Sequence, residues 1–74
     1  MPVMPLTERE LDVLRLIARG LSSIQVGAAL GIAESTVKNH RRHIYLKIGV
    51  HTEVEATVWY VRNHGDPDSD EREA

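Results

Sequence analysis

The 74-residue chain has no cysteine, one tryptophan and two tyrosines. The absence of cysteine excludes disulfides and thiolate metal sites, and with them any zinc finger that uses Cys ligands. Four histidines are left, and they are scattered. His40 and His43 lie three apart on one helical pattern, but no acid or thiol stands at ligand spacing. No metal is expected. No apolar run is long enough to cross a membrane. The first residues, MPVMPLTERE, lack the apolar core of a signal peptide, because charges arrive at once. The expected compartment is the cytoplasm. There is no nucleophile beside a base, and no carboxylate pair in an apolar setting. A chain this short buries only about 60% of its unfolded surface, which leaves no room for a pocket beside the core. No enzyme activity, cofactor or small-molecule ligand is expected, and the length allows one domain.

Positive charge is also scarce overall, with a formal net charge of -2. The charge is segregated, however. Residues 66–74 carry five acids against Arg72, a net of -4, whereas residues 1–65 carry eight Lys/Arg against six acids, a net of +2. Within that part the basic side chains crowd into residues 34–47. A phosphate backbone responds to the local field more than to the total.

The chain reads as all-α, with four helices. Residues 1–5 contain Pro2 and Pro5 and are expected to form an extended lead-in. Thr7 and Glu10 make a capping box for a first helix over 8–19. Leu11, Leu14, Ile17, Ala18 and Leu21 recur at helical spacing and should face the core, with Val13 on the flank. Gly20 is the expected C-cap. Ser22 and Gln25 form a second capping box for a helix over 23–30, with Val26, Ala29 and Leu30 on one side. Gly27 inside it costs about 1 kcal/mol of helix propensity against Ala, which hints at close packing. Gly31 can take the left-handed conformation a turn needs. A third helix should run over 34–47 and close at Gly49. Ala33 stands where its cap would be, so its free amides await a phosphate or water. Thr52 and Glu55 make a third capping box for a fourth helix, stopped by Gly65-Asp66-Pro67. The acidic tail at 66–74 has the composition of a disordered segment.

The third helix is the centre of the sequence. Residues 34–49 read ESTVKNHRRHIYLKIG. Val37, Ile44 and Ile48 share one face, while Lys38, Arg41, Arg42 and Lys47 lie between them. Such a helix suits a nucleic-acid groove. It could equally be an ordinary amphipathic helix with a solvated positive face. The short helix before it, joined by a turn containing Gly31, gives the pair the form of a helix-turn-helix. The fourth helix is apolar on more than one side: Val54, Val58 and Val61 form a stripe, with Trp59 and Tyr60 beside it. One face should close the core and the other form a homodimer surface, assigned to Val54, Val58, Trp59 and Arg62. Alternatively, Trp59 and Tyr60 only cap a thin core.

These residues closely resemble the DNA-binding domain of the LuxR family of bacterial transcription regulators. This GerE-type helix-turn-helix is also carried by many two-component response regulators. The resemblance rests on LTERE at 6–10, VLRLIARG at 13–20, TVKNHRRHIYLKIGV at 36–50 and Glu55-Ala56, and it covers about residues 6–63. It implies that the third helix enters the major groove of double-stranded DNA and that the fourth pairs two copies. By residue, it places Lys38, Asn39 and Arg42 near base edges and Ser22, Ser23, Ser35, Thr36 and Arg41 near phosphates. It also makes Glu10 and Lys47 candidates for an internal ion pair. Ile24, Ala33 and Glu53 depart from the family pattern in ways that weaken non-specific DNA affinity. A protein–protein module is the alternative: a helix-turn-helix docking on another regulator or on RNA polymerase, like region four of a sigma factor.

Overall fold

A computed structural model of the chain describes residues 5–69. It contains four helices: α1 (Glu8–Ala18), α2 (Ser23–Leu30), α3 (Glu34–Ile48) and α4 (Glu53–His64). All three expected capping boxes form. The Thr7, Ser22 and Thr52 side chains accept from the amides of Glu10, Gln25 and Glu55, and each third residue reaches back to the cap. These local bonds set the helix starts where the sequence places them. The ends differ slightly: α1 stops one residue early, with Arg19 as its cap, and α3 runs one residue further, to Ile48.

α1 packs against each of the other three helices. That position explains why its inside is wider than one stripe. Val13, Leu14, Leu16 and Ile17 are all buried, whereas Leu11, Ala18 and Leu21 are only half-buried. Val13 is therefore a central core residue rather than a flank. α2 buries Ser23, Val26 and Gly27, with Leu30 half-buried. That is the i, i+3, i+4, i+7 stripe of a helix with one covered face, and Ala29 falls outside it, exposed. α4 closes the core with Ala56 and Tyr60, four residues apart, and Trp59 packs beside them. His64 stacks on Tyr60 with ring centroids 5.1 Å apart.

The joint between α2 and α3 depends on two glycines. Gly31 adopts φ 72° and ψ 33° and ends α2. Only glycine enters that left-handed region without steric cost. Gly27 faces the turn itself: a Cβ there would stand 2.6 Å from the Ile32 carbonyl oxygen. The Ile32 amide in turn donates to the Gly27 carbonyl at 2.9 Å. The missing side chain thus lets the turn lie directly on α2 and sets the angle at which α3 leaves.

Part of the acidic tail is described. Asp66 accepts from the Asp68 amide, forming a turn, and the Asp68 carboxylate meets the Arg19 guanidinium at 3.0 Å. The tail expected to be disordered lies outside the described residues from 70 onward, as does the lead-in over 1–4. No helix among the described residues is long and apolar enough to cross a membrane.

Candidate nucleic-acid interface

α3 has two unlike sides. Val37 and Ile44 have no exposed surface, and Ile48 is buried with them. Tyr45 is half-buried beside this stripe, and the remaining outer positions carry the polar groups, apart from Leu46, which is exposed among them. Lys38, Asn39, Arg42, Ser35 and Thr36 are exposed, and Arg41 is half-buried. Seven of the eight expected contact residues therefore keep surface on the outside of the domain. Ser23 does not. It is buried, because the covered stripe of α2 runs through it. At this end Ser22 remains exposed, its hydroxyl accepting from the Gln25 amide at 3.2 Å.

Lys38, Arg41, Arg42, Tyr45, Leu46, Val50 and His51 line one open groove of about 400 Å³. Tyr45 and His51 were not singled out by the sequence. The signal for Tyr45 was available, since it lies seven residues after Lys38 and so on the same side of the helix. Burial pushes the Tyr45 phenol up, against the opposing pull of Arg41, with Glu53 adding to the rise. It stays a protonated donor at neutral pH. His51 reaches the groove from the loop after α3, and its amide donates to the Glu55 carboxylate at 2.7 Å. That bond is the main reason the Glu55 carboxyl sits below its ordinary range.

The start of α3 has no side-chain cap at Ala33. Its first residue, Glu34, pairs with Lys38: Oε2 and Nζ are 3.4 Å apart, both exposed. A pair this open contributes little to stability, but it sets what the start of the helix presents.

A second ion pair fixes the other end of α3. Lys47 Nζ donates to Glu10 Oε1 at 2.7 Å, and the same oxygen accepts from the Thr7 amide at 2.9 Å. Glu10 is only 5% exposed. Burial drives its carboxyl up, but the Lys47 and Thr7 bonds and the Lys47 charge together outweigh this and hold it below the ordinary range. One carboxylate thus caps α1 and anchors α3 to it. A carboxyl lowered by folding stabilises fully above its unfolded value, about 4.3, and loses that contribution as pH falls through the lower folded value. Glu10→Gln should therefore cost about 2 kcal/mol at pH 7, and its deficit should shrink towards pH 3. Urea unfolding of both proteins at the two pH values measures this; an unchanged deficit would assign the loss to packing.

α4 presents a second feature. Val50, Val54, Glu55, Val58, Trp59 and Arg62 line an open groove of about 330 Å³. Val54, Val58 and Val61 are exposed, Val54 at 72%. Tyr60 belongs to the core, and Trp59 serves both the core and this groove.

The sequence matches the family model described as bacterial regulatory proteins, luxR family, over residues 4–60. It is 45% identical over 64 residues to the nitrate/nitrite response regulator protein NarP of Escherichia coli, covering 86% of this chain and 30% of that protein. It is 51% identical over 59 residues to a nitrate/nitrite response regulator homolog of Haemophilus influenzae, covering 80% and 28%. Identity to the transcriptional regulatory protein DegU of Brevibacillus brevis is 42% over 62 residues, covering 84% and 26%. The chain spans less than a third of the length of these curated relatives. The matched residues include all four helices, apart from the last four residues of α4. The chain belongs to the luxR family of bacterial regulatory proteins, and it is a sequence-specific DNA-binding domain of a transcription regulator rather than an enzyme.

Proposed function

We propose that α3 lies in the major groove of duplex DNA, with Lys38, Asn39 and Arg42 at base edges. The observation that carries this reading is the two-sidedness of α3, with Val37 and Ile44 wholly covered and the basic side open. Lysine and arginine donate to guanine O6 and N7, and asparagine pairs with adenine. Ser22, Ser35, Thr36 and Arg41 hold phosphates and set the register, which positions the helix without choosing sequence. Tyr45 and His51, lining the same groove as Arg41 and Arg42, extend that phosphate track. The uncapped amides at the start of α3 add donors at a positive helix end.

The exposed apolar groove on α4 supports a homodimer through Val54, Val58, Trp59 and Arg62. Two copies joined there would offer two recognition helices to paired half-sites. The relatives named as nitrate/nitrite response regulators support reading the domain as the output end of a regulator of that kind, acting in the cytoplasm where DNA is accessible.

Selection from random duplex DNA tests the reading. Recovered sequences should share a short motif, repeated at a fixed spacing; recovery of unrelated sequences would contradict it. Sedimentation tests the dimer. Val58→Asp places a charge in the apolar groove without touching the core, and should shift the protein, with its DNA, from dimer to monomer. A parent that stays monomeric on a paired site would assign the α4 groove another role.

A further inference from the structure

We infer that Glu34 is a base-reading residue, which together with Lys38 recognises one G·C pair in the major groove. The inference rests on the groove reading of α3 given above. Glu34 is the first residue of α3, and the N-terminal residues of a recognition helix are those that reach base edges. It lies one turn before Lys38, on the same side of the helix, with Oε2 3.4 Å from Nζ. The two together present an acceptor and a donor side by side. The major-groove edge of a G·C pair presents the complement: acceptors at guanine N7 and O6, and a donor at cytosine N4. Lys38 donates to guanine, and Glu34 accepts from the cytosine amino group.

A carboxylate facing DNA is ordinarily repelled by the phosphates. Two features offset that here. Lys38 makes the pair locally neutral. The first turn of α3, uncapped at Ala33, also places a positive helix end behind the carboxylate. The acid therefore penalises positions where no amino group meets it, which is how a repulsive element adds specificity. Arg41 and Arg42, two turns further on, carry no acidic partner among the described residues and supply the general attraction.

The test compares base preference and salt dependence for the parent, Glu34→Ala and Glu34→Gln, using selection from random duplexes followed by titration of the parent's preferred site. Glu34 is exposed, so both variants should keep the parent's helical content. The parent should reject replacement of one particular G·C pair about tenfold. Both variants should lose most of that rejection at that position alone. They should also bind random DNA more tightly, with a salt slope steeper by about 0.9, because Lys38 is then free to neutralise a phosphate. A selected motif identical at every position in all three proteins would overturn the inference while leaving α3 in the groove. A parent that selects no motif would overturn the groove reading, and this inference with it.

Discussion

Replacing Lys38 and Arg42 together by alanine is expected to weaken binding to a selected duplex by about a hundredfold or more. Each side chain is assigned a base contact worth about 1–3 kcal/mol, and tenfold corresponds to about 1.4 kcal/mol. The loss should come with a salt dependence flatter by up to about 0.9, chiefly from Arg42, because Lys38 is already offset by Glu34 in the parent. The fold should be untouched. Both residues are exposed, alanine is a better helix former than either, and α3 is held from the other side by Val37, Ile44 and Ile48. Titration at several salt concentrations, with circular dichroism as the control, measures both effects. Unchanged affinity and slope would remove the basic side of α3 from recognition.

Ile44→Ala should do the opposite, leaving every DNA-facing side chain in place and destabilising the domain by about 4 kcal/mol. Ile44 is fully buried in the middle of the longest helix. Truncating a buried isoleucine costs about 2–5 kcal/mol, the upper end applying where neighbours cannot close the cavity. Here they are constrained: Lys47 ties the same helix to α1 through Glu10, so α3 cannot simply settle inward. Domain stabilities are about 5–15 kcal/mol, and a chain of this size lies towards the lower end. The urea midpoint should fall by half or more, and DNA binding should fall with the folded fraction. A loss under about 1 kcal/mol would mean that α3 is not anchored at this position. The two variants thus separate recognition from the scaffold that holds it.

The helix starts were legible because capping boxes are local. Thr7 with Glu10, Ser22 with Gln25 and Thr52 with Glu55 satisfy backbone donors within four residues, whatever lies elsewhere. The weak start at Ala33 was legible for the same reason. The two sides of α3 were legible because apolar spacing reports one buried face directly. What periodicity could not supply was the number of neighbours each helix would have. α1 is covered by three helices, so Val13 and Leu16 go inside along with Leu14 and Ile17. α2 has one covered face, so Ser23 is inside and Ala29 outside. In α4 two apolar stripes compete. Ala56 with Tyr60 faces the core, leaving Val54, Val58 and Val61 exposed, a choice set by how α4 lies on α1. His51 enters the basic groove from the loop after α3, where the Glu55 carboxylate accepts from its backbone amide, a contact that periodicity does not report.

The most direct test of the basic side of α3 is to follow the backbone amides by NMR as a duplex carrying the selected site is added. The shifts should be largest at residues 34–36, 38, 39, 41 and 42, with Ser22 joining them, while Val13, Leu14 and Ile17 in the core stay close to their free positions. Shifts confined to α1 or to the α4 groove, with α3 unmoved at saturation, would contradict it.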